Sequence, residues 1–182
     1  MTRYACLLRA VNVSGARTMA MTKLRELCVS LGHADVETYL QSGNILLSTH
    51  AAQSQLGPSL SEAIGKEFGY PDVDVLVWTA AELDAIIQGN PFLARGCDPS
   101  HLHVTFLAQD VGPAVVEAIG RDRDLADEFA PGTRAVYVYC PHGYGRTKLN
   151  NGFFERTLGT HATTRNWKTV NTLGEMARER RG

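Results

Sequence analysis

Three short polar segments, each beside an apolar stretch, carry the side chains best suited to chemistry. They are Arg9-Ala10-Val11-Asn12, Gln41-Ser42-Gly43-Asn44 and Thr163-Thr164-Arg165-Asn166-Trp167. A dense group of hydrogen-bonding side chains at the end of a hydrophobic strand indicates either a ligand site or a structural network. The candidate ligand-binding residues are Arg9, Asn12, Gln41, Ser42, Asn44, Lys148, Thr164, Arg165 and Asn166.

The two N-terminal segments favour recognition over acid–base catalysis. The amides of Asn12, Gln41 and Asn44 donate and accept hydrogen bonds but do not titrate near neutral pH. The second segment also fits a hairpin turn in which Gly43 takes a positive φ. Arg9 leaves two interpretations open. It is either a ligand-binding cation or a buried cation, paired with carbonyls and a carboxylate, that ties two halves of the chain together.

The C-terminal third is the more electropositive part of the chain. Residues 134–182 contain nine Lys/Arg and three Glu, a local charge of +6, whereas the whole chain carries −1. Its glycine-rich segment 142–148 contains two cations and a hydroxyl and precedes a helix, an arrangement that suits a phosphate. The segment matches neither GxxxxGK[ST] nor GxGxxG. The expected partner is therefore an anionic small molecule or a nucleic acid.

Aromatic residues of this region have two interpretations each. Trp167 either stacks on a base or packs under the final helix. Tyr137 and Tyr139 share one face of a predicted strand, where they either stack on bases or pack at a contact between domains.

No metal site or cofactor is predicted. His101 and His103 are two residues apart on a probable strand and would point the same way, but no third ligand is identifiable. The cysteines show no CxxC or zinc-like spacing and are predicted to be buried free thiols: Cys6, Cys28, Cys97 and Cys140.

Hydrophobic periodicity predicts an α+β fold that begins with a β-α-β-β-α-β unit, the ferredoxin-like pattern. Its strands and helices are predicted at 4–13, 19–31, 36–40, 45–48, 59–68 and 73–78. Gly32 is expected to end the first helix with a left-handed residue. Strand alternation places Arg9, Tyr39 and Gln41 together on the sheet face without helices, where they meet either a ligand or the second half.

The second half repeats the pattern less regularly. A linker helix begins at a capping box formed by Thr79 and Glu82 and ends at Asn90-Pro91-Phe92. Further elements are predicted at 103–107, 113–119, 125–130 (a weak strand before a Pro131-Gly132 turn), 134–140, 153–158, 162–165 and 171–178. We therefore predict two ferredoxin-like units in tandem: 1–79, a linker helix and loop at 80–95, and 96–182 with a C-terminal helix.

Several segments resemble a bacterial family known as domain of unknown function 1697. They are Leu7-Leu8-Arg9-Ala10-Val11-Asn12-Val13, Tyr39-Leu40-Gln41-Ser42-Gly43-Asn44, Asn90-Pro91-Phe92, Lys148-Leu149 and the segment from Thr163 to Trp167. The chain differs from the family pattern at Ala10 and Ser14, where glycines are common. The resemblance implies shared positions and supplies no reaction.

The composition is that of a globular protein with a sizeable core. The chain has 182 residues, 44% of them hydrophobic, and its apolar runs are much shorter than a membrane span of about 20 residues. Its start shows no signal-peptide pattern, so we expect a cytoplasmic protein without membrane association.

Three functions remain open. The first is binding of an anionic or polar ligand, such as a nucleotide or nucleic acid, between the two units. The second is an enzyme acting on a phosphorylated or nucleotide substrate, in which Lys148 and Arg165 stabilise charge and Ser42 or Thr164 is the nucleophile. The third is a structural protein whose polar segments only join the two units.

Overall fold

The computed structural model describes residues 1–13, 15–120 and 126–179. Its contacts divide the chain into two compact units. Unit 1 is Met1–Leu83 together with the C-terminal segment from Leu173, and unit 2 is Asp84–Thr172. Each unit contains one four-stranded antiparallel sheet with helices, so the predicted α+β class is confirmed.

Unit 1 has the sheet order β2-β3-β1-β4. Cys6 and Leu8 of the first strand point towards the helices, where Leu24 and Leu60 are fully buried in the same apolar cluster. Burial of each such side chain stabilises the fold by about 1.5–3 kcal/mol. The elements are β1 (Thr2–Leu8), α1 (Met21–Ser30), β2 (Ala34–Tyr39), β3 (Asn44–Thr49), α2 (Gln53–Phe68) and β4 (Val75–Thr79).

The edge strand β2 contains a bulge. Its register with β3 shifts between Ala34 and Glu37, and Asp35 takes a φ of 49°. Arg3 of β1 binds this irregular segment: its Nη1 donates to the Asp35 carbonyl (3.0 Å) and its Nη2 to Glu37 Oε1 (2.6 Å). The same guanidinium donates from Nε to the Met176 carbonyl in the C-terminal segment of unit 1 (2.9 Å).

Unit 2 has the sheet order β6-β7-β5-β8, the same relative order of strands as in unit 1. Two 3-10 turns, Pro99–His101 and Tyr144–Arg146, flank its central strands. The remaining elements from the linker onward are α3 (Ala80–Gln88), α4 (Pro91–Ala94), β5 (Leu102–Leu107), α5 (Pro113–Ala118), β6 (Glu128–Gly132), β7 (Ala135–Tyr139), α6 (Asn151–Leu158), β8 (Ala162–Asn166) and α7 (Trp167–Arg178).

The predicted capping box at the linker helix is confirmed. Glu82 Oε2 accepts the Thr79 N–H (2.7 Å), and Thr79 Oγ1 accepts the Glu82 N–H (3.2 Å). Helix α3 ends at Gln88, and the Asn90 side chain then caps α4 by accepting the Phe92 N–H (3.0 Å).

Two predicted boundaries in unit 1 were wrong. The first strand ends at Leu8 and does not reach residue 13, because Ala10 and Asn12 have φ values of 55° and 53°, outside the strand region. Helix α2 starts at Gln53, six residues earlier than predicted, and contains Pro58. Proline normally interrupts a helix, and the predicted start, residue 59, lies directly after Pro58.

Two boundaries in unit 2 also differ. Pro131 and Gly132 lie inside the edge strand β6, and the turn follows at Arg134, whose φ is 53°. The final helix starts at Trp167, four residues before the predicted start. Residue 125, where the weak strand was predicted to begin, lies outside the described residues.

None of the helices in the described ranges is both long enough and apolar enough to cross a membrane.

Glycines 32 and 43 both take the positive φ that their sequence context predicted, 85° and 77°. They differ in their surroundings. A Cβ at Gly43 would lie 2.5 Å from Val11 Cγ2 and 2.8 Å from Leu8 Cβ, whereas a Cβ at Gly32 would meet nothing within 4 Å. The turn between β2 and β3 therefore packs its backbone directly on the end of β1.

Three of the four cysteines are buried free thiols, as predicted, and Cys97 is half-buried. Burial raises the pKa of Cys28 and of Cys140 to about 11, and it also raises the pKa of Cys6. Thiols of this kind are poor nucleophiles because the thiolate is the reactive form.

We expect Gly43→Ala to destabilise the protein much more than Gly32→Ala. Both variants lose about 1–2 kcal/mol to the left-handed backbone, but only Gly43→Ala also incurs overpacking of about 1–3 kcal/mol. Chemical denaturation of the two variants measures the difference. Equal losses of stability would show that the close approach at Gly43 is not a constraint.

We expect one thiol, that of Cys97, to react rapidly with an aromatic disulfide reagent in the folded protein, because the other three are buried. Unfolding in denaturant should expose all four. The variant Cys97→Ser should lose the rapid phase, and a rapid phase that survives this change would contradict the burial of the remaining thiols.

Candidate functional site

The segment Gln41 to Asn44 forms a turn locked by its own side chains. Asn44 is fully buried, and its Nδ2 donates to the Tyr39 carbonyl (2.7 Å) and to Ser42 Oγ (3.0 Å). Both amide hydrogens of Asn44 are thus used inside the turn. Gln41 is exposed at its tip.

Asn12 binds the neighbouring loop to this turn. Its Nδ2 donates to the Met19 carbonyl (3.0 Å) and to the Gln41 carbonyl (2.7 Å), and its Oδ1 accepts the Met19 N–H (2.7 Å). An asparagine also tolerates the positive φ at this position better than most residues. The amide therefore joins two loops of unit 1.

Arg9 lies just beyond the end of β1 and is held within unit 1. Its backbone N–H donates to the Asp74 carbonyl (2.9 Å), and its Nη1 lies 3.9 Å from Asp74 Oδ2, with 21% of the side chain exposed. In the same loop Arg17 pairs with Asp72. We predicted from side-chain alternation along the strands that Arg9 and Gln41 share one face of the sheet. Both residues lie outside the strands, so alternation does not assign them to a face.

Strand β8 separates two of the candidate residues. Register pairs Arg165 with Val104 and Thr164 with Thr105, so the two side chains leave opposite faces of the sheet. The Thr164 hydroxyl lies 2.8 Å from Thr105 Oγ1 and donates to Asn151 Oδ1 (2.6 Å). It belongs to a partly buried polar network beside the start of α6.

Arg165 is buried on the other face of β8. Its Nη1 donates to Thr163 Oγ1 (2.8 Å) and to the Thr164 carbonyl (3.0 Å), and burial lowers the pKa of the guanidinium to about 10. Loss of hydration penalises the charged form of such a group.

Asn166 is the N-cap of α7: its Oδ1 accepts the Thr169 N–H (2.8 Å). The residue is exposed and is followed in the helix by Trp167 and Lys168. A helix start of this kind presents backbone N–H groups and a favourable dipole to an anion.

The glycine-rich segment 142–148 forms a compact loop next to β5. Tyr144 stacks on the ring of His103, with ring centroids 4.6 Å apart and 25° between planes. Arg146 and Lys148 are exposed on either side of Thr147, and neither pairs with a carboxylate within the described part of the chain.

A cleft of about 350 Å³ opens at the start of α7. We call it the α7 cleft. Its walls provide a cation, an imidazole, a hydroxyl, an amide and an indole, and they are formed by Pro99, Ser100, His103, Asn166, Trp167 and Lys168. Of the residues predicted from the sequence as ligand-binding, it contains Asn166 alone.

Two basic side chains, Lys168 and His103, line the α7 cleft. Lys168 is exposed and forms no ion pair with any residue that the structure describes. Burial lowers the pKa of His103 below its ordinary value, so that its ring is neutral at neutral pH. Sequence reasoning named neither Lys168 nor His103 as a residue of an anion site. The register of β5 with β8 places His103 opposite Asn166.

The structure gives His101 and Tyr137 specific contacts. His101 ends a 3-10 turn and contacts Tyr139 (ring centroids 6.4 Å apart), so it does not point with His103 along one strand. Within the described ranges no three His, Cys, Asp or Glu side chains are grouped so as to hold a metal ion. Tyr137 is buried, and its hydroxyl donates to the Ile86 carbonyl (2.9 Å).

Comparison with known proteins gives a family and a fold. A family model described as a protein of unknown function (DUF1697) matches residues 1–137. The chain is also similar to the solved structure of the conserved bacterial protein SP0830 from Streptococcus pneumoniae. The two are 24% identical over 97% of this chain and 99% of that chain, with a TM-score of 0.74, which supports a common fold. No curated protein matches.

We expect Asn12→Ala to lower the free energy of unfolding by about 2–3 kcal/mol, because it removes three hydrogen bonds of about 1 kcal/mol each. The matched variant Gln41→Ala removes an exposed side chain and should change stability by less than about 0.5 kcal/mol. Thermal unfolding of both variants tests this contrast. Similar losses would mean that the Asn12 bonds do not hold the loop.

Proposed function

The chain belongs to the DUF1697 family, whose description names no activity, and we propose from its geometry that it binds an anionic ligand in the α7 cleft. The ligand presents a phosphate or carboxylate group to Lys168 and the start of α7. One observation carries this proposal. Lys168, which forms no ion pair with a described residue, lies beside the Ser100, His103 and Asn166 side chains in one concave site.

The chemistry of the walls favours a compact anionic group. Lys168 supplies a full positive charge, and Ser100 and Asn166 supply hydrogen-bonding groups. Pro99 and the largely buried Trp167 form apolar wall that reduces contact with water. Electrostatic attraction is stronger where water is partly excluded. At about 350 Å³ the cleft is at the small end of the range for ligand sites.

The phosphate groups of a nucleic acid are a second kind of anion with the chemistry that this site would bind. Arg146 and Lys148 are exposed next to Tyr144, which stacks on a wall residue of the cleft. Between residues 142 and 168 the chain carries five Lys/Arg and one Glu. A strand of nucleic acid would need this wider basic surface, whereas a small ligand would need only the cleft.

The remaining candidates have different roles in this proposal. Asn12, Ser42 and Asn44 maintain the loops of unit 1 through the hydrogen bonds described above. An enzyme with Thr164 as nucleophile receives no support from the contacts of that hydroxyl, whose partners Thr105 and Asn151 are not bases near neutral pH. Ser42 and Arg9 do not line the α7 cleft and have no role in the proposed binding.

We also propose a ferredoxin-like architecture for each unit. Its support is the β-α-β-β-α-β order of elements around sheets ordered β2-β3-β1-β4 and β6-β7-β5-β8. The predicted division into 1–79, 80–95 and 96–182 stays part of this proposal. Cytoplasmic residence in a bacterium is likewise proposed, supported by the free thiols and by the similarity to a Streptococcus protein.

We expect pyrophosphate to bind to the full-length protein and Lys168→Ala to weaken this binding about tenfold, the equivalent of about 1.4 kcal/mol. Titration calorimetry at low salt measures both affinities. The control Lys23→Ala removes an exposed lysine of unit 1 and should leave the affinity unchanged. Absence of binding, or equal weakening by both variants, would refute the proposed site.

A single-stranded oligonucleotide distinguishes the two sources of phosphate. If nucleic acid is the ligand, Arg146→Ala combined with Lys148→Ala should weaken oligonucleotide binding strongly, and the affinity should fall steeply with salt. If the ligand is small, pyrophosphate should bind more tightly than the oligonucleotide, and the double variant should leave its affinity within about twofold.

A further inference from the structure

His103 occupies a position at which an anion in the α7 cleft would meet its ring. It belongs to the central strand β5 and lies opposite Asn166 in the register with β8. Together with Lys168 it lines the α7 cleft. One face of the ring is covered by Tyr144 at 4.6 Å, which holds the imidazole in place. The ring is therefore positioned before any ligand arrives.

The groups around His103 do not compensate a positive charge. Strand β8 contributes the neutral Asn166, helix α7 contributes the cation Lys168, and the loop after β7 contributes the phenol of Tyr144. No carboxylate within the described residues forms an ion pair with the ring.

The 3-10 turn before β5 brings two further titratable residues, His101 and Asp98, into this part of unit 2. His101 on this turn lowers the pKa of His103 by repulsion, in addition to the larger effect of burial, while the His101 carbonyl opposes the decrease. Asp98 caps the turn and accepts the Ser100 N–H (2.9 Å). Among the residues that line the α7 cleft, the other charged side chain is that of Lys168, which repels a protonated His103.

We propose that His103 takes up a proton together with the anion, so that the α7 cleft carries two positive charges only when it is occupied. This inference rests on the proposed function, since it concerns the same site. An anion beside Lys168 supplies the opposite charge that the protonated imidazole lacks in the empty cleft. Binding is then linked to proton uptake from solvent, and affinity increases as the pH falls.

The sign of the pH dependence follows from linkage. The anion raises the pKa of His103 in the complex, whereas burial lowers it in the free protein. Between these two values the affinity should rise by up to about tenfold for each unit of pH decrease. Above both values the ring is neutral in both states, and affinity should not depend on this group.

Sulfate is a suitable probe because it remains a dianion across the whole range, so any pH dependence belongs to the protein. We expect the dissociation constant of sulfate, measured calorimetrically with the full-length protein between pH 8 and pH 5.5, to fall as the pH falls. His103→Gln should retain weak binding and lose this dependence. His50→Gln, which removes an exposed histidine of unit 1, should behave as the native protein does.

A direct readout keeps the inference testable if His103→Gln does not fold. Calorimetry of the native protein in two buffers with different ionisation enthalpies gives the number of protons bound with sulfate, and NMR of the His103 ring gives its pKa with and without the anion. Proton uptake near one and a raised His103 pKa support the inference. Sulfate binding that is independent of pH, or a pH dependence that survives His103→Gln, overturns it.

These outcomes are separate from failure of the proposed function. If sulfate binds with no proton uptake and Lys168→Ala weakens it, the site stands and the role of His103 is wrong. If sulfate does not bind at any pH, the proposed function itself fails and this inference fails with it.

Discussion

Alternation of side chains along the antiparallel strands β5 and β8 is the constraint on which the chemistry of unit 2 depends. Because the period is two residues, His103, Thr105 and Thr164 leave the same face, whereas Arg165 leaves the other. One row then runs from the α7 cleft at His103 to the hydroxyl pair of Thr105 and Thr164. A shift of one residue in this pairing would bury the polar row and dismantle the cleft.

Polar groups in the two units meet different needs. In unit 1 the amides of Asn12 and Asn44 satisfy backbone carbonyls in loops that depart from regular structure. Polar groups removed from water are costly unless they are paired, so these bonds stabilise the folded loops. At the α7 cleft Lys168 forms no ion pair within the described part of the chain. The contrast is between side chains that complete the fold and side chains that remain available to a solute.

Much of the fold could be predicted from the sequence because it depends on local patterns. Alternating Val and Tyr predicted β7, and the capping box predicted the start of α3 within one residue. The first turns of α2, which precede Pro58, were not predicted. Strand β1 ends earlier than its apolar composition indicated, because Ala10 and Asn12 have positive φ values. Such conformations depend on contacts with distant segments, which a local pattern does not contain.

The candidate site was harder to predict because it joins residues that are far apart in sequence. Polar density drew attention to Asn166, which lines the α7 cleft, but Thr164 and Arg165, its neighbours in sequence, point to opposite sides of the sheet. His103 was considered with His101 as a pair of metal ligands and set aside for want of a third. The pairing itself was wrong, because His101 lies in a 3-10 turn and not on the strand. Lys168 was counted only as part of the net charge, since nothing local marks it as lining a cleft.

The bulge in β2 has a consequence for how the protein behaves in a crowded solution. An edge strand normally exposes a regular row of amide and carbonyl groups to which a strand of another molecule can add. Here the shifted register at Ala34 to Glu37 breaks that row, and the guanidinium of Arg3 occupies the Asp35 carbonyl within it. This side of the sheet is therefore a poor template for the addition of a strand from another molecule.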